Sequence, residues 1–272
     1  MILIIASKVD IASLNIAKCL INTHDFEKIS EPLFGNPLYL KKLENGETLR
    51  LSFTNQEPVD TQALPLPSQV KLVIFVSRHK SESGTPTLSV HVPGNLGEAS
   101  LGGLPRKISV SPASAMKEAL KAMKEAQEEM MLEYEVSYEC THHGPSLDIP
   151  TMFVELGSSP KQWRSKSAAE AVARGALAAA LNRRLYRTVI GVGGPHYNMK
   201  FTRMALETDT AFGHIIPKYA VSELDEEILR QCVNRSVEPV EKAILDWKGI
   251  KGDDKEKLLN LLSKMNLKIE KI

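Results

Sequence analysis

Short apolar runs that stop abruptly at glycine, proline or histidine limit what this chain can fold into. Lys71-Leu72-Val73-Ile74-Phe75-Val76 reads as a buried strand ending at Ser77-Arg78-His79. Thr151-Met152-Phe153-Val154-Glu155-Leu156-Gly157 stops at Ser158-Ser159-Pro160, and the run over 187–194 stops at Pro195-His196-Tyr197. A further β-like run ends in Cys140-Thr141-His142-His143-Gly144-Pro145, and Leu88-Ser89-Val90-His91-Val92 alternates like a strand. Segments with helical spacing separate them, over 10–22, 111–131, 167–181, 222–235 and 253–265. The pattern predicts an α/β fold, three layers with helices on both faces of a sheet. In open α/β sheets ligands bind at the carboxyl ends of the strands, so the site is expected where these runs stop.

Residues 1–272 read as a single catalytic domain, without internal repeat, low-complexity tract or convincing linker. A β-hairpin elaboration is expected near 37–54, where Leu38, Tyr39 and Leu40 meet Leu49, Leu51 and Phe53 across Asn45-Gly46. Ser111-Pro112 reads as a helix start, and Ser167-Ala168-Ala169-Glu170 as a capping box opening an alanine-rich helix. The 34 basic and 33 acidic residues leave a net charge of +1, so any basic surface must be local. The 3 cysteines, Cys19, Cys140 and Cys232, are scattered without CxxC spacing, which excludes a disulfide framework and a thiolate zinc knuckle. Met1-Ile2-Leu3-Ile4-Ile5-Ala6 is too short for a signal core or a membrane span, so a reduced, cytoplasmic setting without membrane contact is expected.

Of the 7 histidines, His24 suits a solvated helix end, whereas His79, His91, His142, His143 and His196 lie at or near the ends of apolar runs. Neighbouring side chains in a strand face opposite ways, but Gly144-Pro145 breaks the strand and frees His142 and His143 to splay. Glu155 is the sharpest residue, because a carboxylate among Met, Phe, Val and Leu must be paired, protonated or metal-bound. Its bland alternative is an edge strand with Glu155 in solvent; Asp148 is a weaker candidate that suits a loop cap.

His142, His143, Glu155 and His196 are therefore the expected catalytic groups, and Gly193-Gly194 suits backbone N–H groups aimed at an oxyanion or phosphate. The glycine turn departs from a dinucleotide fingerprint, and Ser158 and Ser159 lack a nucleophile elbow. Histidine nitrogens and a carboxylate suit zinc, so His79, His91, His142, His143 and Glu155 are candidate ligands, although no HExxH spacing occurs. Lys161, Arg164, Lys166, Arg183, Arg184, Arg187, Lys200 and Arg203 cluster in sequence around the second half of the expected site, which points to a phosphate-bearing substrate. Tyr197, Phe201 and Trp163 are candidate stacking partners for single-stranded nucleic acid.

The blocks Ser77-Arg78-His79-Lys80-Ser81, His91-Val92-Pro93-Gly94-Asn95, Thr141-His142-His143-Gly144-Pro145, Glu155-Leu156-Gly157-Ser158-Ser159-Pro160 and Gly193-Gly194-Pro195-His196-Tyr197 resemble the D-aminoacyl-tRNA deacylases of the archaeal and plant type. The resemblance runs from about residue 1 to 250. It implies hydrolysis of the ester joining a D-amino acid to the tRNA 3′ end, a fold similar to the phosphorylase/hydrolase-like class, and an association with zinc. The partner it implies is tRNA charged with a D-amino acid, and no obligate protein partner is evident. Two alternatives are a metal-dependent peptidase or amidohydrolase, using the same histidines without the basic face, and a noncatalytic RNA-binding module, which would not need Glu155.

Overall fold

The computed structural model describes residues 1–43 and 46–272. The chain opens with β1 (Ile2–Ser7), α1 (Ile11–Thr23), β2 (Glu27–Lys28), β3 (Tyr39–Lys42) and β4 (Thr48–Thr54). A 3-10 turn at Pro58–Ala63 leads to β5 (Leu72–Arg78), β6 (Thr87–His91), α2 (Ala113–Glu129), β7 (Glu135–Tyr138) and β8 (Thr151–Gly157). There follow α3 (Pro160–Trp163), α4 (Lys166–Leu181), β9 (Arg187–Val192), α5 (Met199–Glu207) and β10 (Thr210–Ile216). The chain closes with α6 (Glu226–Asn234), β11 (Val240–Leu245), α7 (Gly252–Ser263) and β12 (Lys268–Lys271).

These strands make an 8-stranded sheet, β2-β3-β4-β1-β5-β8-β6-β7, and a 4-stranded sheet, β10-β9-β11-β12. β4, β1, β5 and β8 run parallel to one another, but β6 runs antiparallel to β8, and β7 is parallel to β6. The α/β class read from the sequence holds, with helices distributed unevenly. On one face of the large sheet, Ile4, Ile74, Val154 and Leu88 pack against α1, α2 and α4. On the other, Leu3, Ile5, Val73, Phe75 and Phe153 are covered by loop residues such as Leu64, Leu66 and Leu147. The small sheet is sandwiched: Ile190, Val192 and Ala243 meet α6 and α7, while Val189 and Phe212 meet Phe201 of α5.

Local sequence explains the helices that frame the site. Asp10 caps α1 by accepting from the Ser13 N–H at 3.1 Å, which fixes how the helix leaves β1. α4 is rich in alanine because it lies against α2; a Cβ at Gly175 would stand 2.7 Å from Met123 Cγ. Its cap is Ser165, which accepts from the Ala168 N–H at 3.3 Å, and not the expected Ser167. Glu170 pairs with His24 and Arg174 instead of reaching back to a cap. Ser111 likewise caps nothing, because its backbone is bonded to Arg235 and Val237 and the helix begins after Pro112. β3 and β4 pair antiparallel, Tyr39 opposite Leu51, while Asn45 of the expected turn lies outside the described residues.

Candidate active site

Glu155 lies on an interior strand, with Ser77 of β5 opposite it on one side and Ser89 of β6 on the other. The edge-strand alternative is excluded. Alternation along β8 puts Glu155 on the same face as Phe153, the face without helices, so the loop after β7 can close over it. Glu155 is 3% exposed and accepts from Ser77 Oγ at 2.6 Å. Its other oxygen lies 3.5 Å from His79 Nδ1 and 3.6 Å from His91 Nε2.

A second buried carboxylate, Glu139, faces the same histidines. Its oxygens stand 3.2 Å from His79 Nδ1, 2.8 Å from His196 Nε2 and 3.6 Å from His142 Nε2. Burial works against the charge on both acids, yet the facing histidines hold each below the usual carboxylate range. Sequence reasoning missed Glu139, although it follows Val136-Ser137-Tyr138 just as Glu155 sits in its own run.

Two smaller-sheet connections complete the cluster. Beyond β9 the chain turns at Gly193 and Gly194, whose φ angles of 98° and 78° favour glycine. It then pairs with the end of β7: Cys140 N–H donates to His196 C=O at 3.0 Å, and Asn198 N–H to Tyr138 C=O at 3.1 Å. This brings His196 onto Glu139 and Tyr197 onto His79, whose Nε2 hydrogen-bonds the phenol. Cys140 Sγ lies 3.1 Å from His196 Nδ1 and 3.4 Å from the Tyr219 hydroxyl. Burial opposes charge on His196, but the Cys140 sulfur and Glu139 outweigh it and push the pKa up to about 10.

The tandem histidines do reach one place. His143 has φ 43°, a left-handed turn that swings its ring toward that of His142, with centroids 4.3 Å apart. His91, stacked on Phe153, is 4.3 Å from the His142 ring and 4.8 Å from that of His143. His142 Nδ1 donates to Cys140 C=O at 2.8 Å and His143 Nδ1 to Gly144 C=O at 2.7 Å, which leaves each Nε2 as the nitrogen that carries the lone pair. Burial, with His91 beside them, holds His142 well below the ordinary histidine range and His143 down to about 4. His91 is 1% exposed and neither ring nitrogen has a hydrogen-bond partner.

Such an orphaned pair of nitrogens beside two Nε2 lone pairs is a donor set that suits a metal ion. The ligand atoms of His91, His142 and His143 lie within 4.8 Å of one another. Three imidazoles with Glu155 adjacent match the ligand chemistry of zinc. His79 belongs to the same cluster, but its nitrogens already face Tyr197, Glu139 and Glu155. A cavity of about 590 Å³ opens onto this cluster, lined by His142, His143, Glu155, His196 and Tyr197 and reaching Arg78 and Lys80.

Other expected site residues lie elsewhere. Gly193 and Gly194 do not line the cavity, and the Gly193 N–H is spent on Ile216 C=O at 2.8 Å, so this turn is no oxyanion cradle. Arg183 pairs with Glu47 beside Met1 and Lys71, at the amino ends of β1, β4 and β5. Arg184 pairs with Asp209 and lies over Tyr186 before β9. A seven-residue strand spans about 20 Å, so Arg183 is roughly that far from the histidines. Arg187 stands at the amino end of β9, away from the run end it was grouped with. Lys200 is held by Asp246. Lys161, Arg164 and Lys166 are exposed on the α3 shoulder that follows β8. Phe201 and Trp163 are buried, one stacked on Phe212 and the other donating to His79 C=O at 2.9 Å, so neither offers a free face for a base. The carboxyl-end rule also needs correction: because β6 and β7 oppose β8, the site lies on a sheet face where strands of both directions meet.

A sequence model for D-aminoacyl-tRNA deacylase matches residues 66–270. The chain belongs to the D-aminoacyl-tRNA deacylase family. It is 36% identical over 275 residues to the D-aminoacyl-tRNA deacylase of Pyrococcus furiosus, covering 98% of each chain. To that of Thermococcus kodakarensis it is 39% identical over 263 residues, covering 93% of each. A crystal structure of a conserved protein of unknown function superposes with a TM-score of 0.88 at 30% identity, covering 100% of this chain and 95% of that one. Family membership does not favour the peptidase or amidohydrolase alternative. Among the described residues, no helix is long and apolar enough to cross a membrane.

Proposed function

We propose that this chain hydrolyses the ester between a D-amino acid and the 3′ end of tRNA, with zinc held by His91, His142 and His143. The observation that carries the reading is the buried His91, without a hydrogen bond on either nitrogen, beside two imidazoles that are set in the ligand tautomer and line an open cavity. Bound zinc would supply acidified water at neutral pH. Glu155, fixed by Ser77, accepts the proton of the attacking water. His196, kept charged on Glu139, lines the cavity and stabilises negative charge developing on the ester carbonyl oxygen. The Tyr197 phenol, its pKa pushed up to about 12 by burial, stays protonated and opens onto the same cavity. Residues 1–272 act as one catalytic domain, since His79, His91 and Glu155 come from the large sheet and His196 follows β9 of the small one. The setting we assign is the cytoplasm, where aminoacyl-tRNA is made and used.

The revised positions of the basic residues sharpen the tRNA contact. Arg78 and Lys80 line the cavity, and Lys161, Arg164 and Lys166 are exposed on the segment that follows β8, the strand that carries Glu155. Each phosphate contact on a single strand contributes about 0.7 to the slope of log affinity against log salt. Lys80→Gln and a Lys161/Arg164 double alanine change are expected to weaken tRNA binding and flatten that slope, while an Arg183/Arg184 double change leaves both unaltered. Filter binding across a salt series reads this directly. A slope altered only by the Arg183/Arg184 change would place the tRNA on the opposite edge of the sheet.

A further inference from the structure

We infer that His214 and Thr141 are positioning residues, which hold the histidine loop in register over Glu155; this rests on the function proposed above. His214 has no place among the groups that line the cavity, yet it is fully buried in β10 and both its nitrogens are used. Its Nε2 meets the Arg235 C=O at 2.9 Å, and a carbonyl can only accept, so Nε2 carries the proton. Nδ1 is then an acceptor and takes the hydroxyl proton of Thr141 at 3.2 Å. Thr141 sits between Cys140 and His142, and it is 2% exposed.

The backbone is built to make this contact. The pairing of β10 with β9 slips between Phe212 and Ile215, and the irregularity falls at Gly213-His214. Such a bulge re-aims side chains. β10 is the edge strand of its sheet, and on its open side Ile215 pairs with Thr141: the Thr141 N–H donates to Ile215 C=O at 2.8 Å, and Ile215 N–H donates to Thr141 Oγ1 at 3.2 Å. The far side of the loop is tied to the same point. Arg235, whose carbonyl receives His214, sends its guanidinium to Leu147 C=O at 3.0 Å and to Asp148 at 2.7 Å. The segment carrying His142 and His143 leaves β7 and re-enters β8 of the large sheet, and between them it is also tied to β10 of the small sheet and to Arg235 at the end of α6. The clamp fixes where His142 and His143 lie over Glu155.

Thr141→Val and His214→Phe keep the shapes and both remove the Thr141–His214 hydrogen bond, along with the bond from Ile215 N–H in the first and the bond to Arg235 C=O in the second; Thr141→Ser keeps the hydroxyl. Misplacement of reacting groups by about 1 Å can cost on the order of 10²-fold in rate. Each of the first two changes is expected to slow single-turnover cleavage of D-tyrosyl-tRNA by at least about 10-fold, with affinity for uncharged tRNA within about twofold. The losses in the double variant should be clearly less than multiplicative, because the bond the two residues share is already lost in either single one. Thr141→Ser should retain the wild-type rate. Full activity per folded molecule in Thr141→Val, or losses that multiply in the double variant, would overturn the assignment. Imidazole nitrogen resonances of His142 and His143 give a readout that does not need turnover. They should shift in both variants even if the wild-type protein left D-tyrosyl-tRNA intact, an outcome that would refute the proposed reaction and not the clamp. Unmoved resonances would refute the clamp.

Discussion

Glu155→Gln is expected to lower turnover of D-aminoacyl-tRNA by about 10²–10⁴-fold, the range typical of a lost general base, in a protein that remains folded. The substitution is nearly isosteric, and an amide oxygen can still accept from Ser77. What disappears is the negative charge that faces His79 and His91 across 3.5 and 3.6 Å, and with it the capacity to take a proton. Some loss of stability accompanies the change, since a buried charged network is left short of one partner. Circular dichroism separates the two effects. A folded Glu155→Gln protein with near wild-type turnover would remove Glu155 from the chemistry.

Removal of the metal is expected to have an effect at least as large. Chelation should abolish turnover, zinc should restore it, and His91→Ala should purify with less zinc and with little activity. The physical basis is that a buried imidazole without a hydrogen bond on either nitrogen is costly unless something binds it, and ligand atoms of His142 and His143 lie within 4.8 Å of it. Elemental analysis of the purified protein, paired with the activity of the chelated form, measures this. A metal-free and fully active preparation would shift the whole burden to Glu155 and the histidines acting directly.

Most of the histidine cluster was legible because each of its members interrupts or ends an apolar run, where an imidazole or carboxylate has no cheap explanation. Strand direction was not legible. His91 and Glu139 arrive on strands that oppose β8, and nothing in their own short segments records which way they run. Glu139 met the same criterion as Glu155 and was hidden by the more conspicuous pair that follows it. The basic residues show the opposite error. Arg183, Arg184 and Arg187 are close in sequence to Gly193 and His196, but β9 lies between, and a strand carries the chain from one edge of a sheet to the other. β11 and β12 escaped notice because Glu241, Lys242, Lys268 and Glu270 interrupt their apolar positions, which suits strands near an open edge.

The central claim is cleavage of the ester of a D-amino acid on tRNA. The tRNA is the same whichever enantiomer it carries, so discrimination has to arise around the aminoacyl group, where one enantiomer fits the cavity and the other leaves polar groups unpaired. The direct measurement is release of tyrosine from D-tyrosyl-tRNA and from L-tyrosyl-tRNA under identical conditions. Rapid hydrolysis of the D form with little of the L form is the expected result. Equal rates on both would contradict it and leave a general aminoacyl-ester hydrolase, and an intact D-tyrosyl-tRNA beside cleaved peptides would make the protein a peptidase.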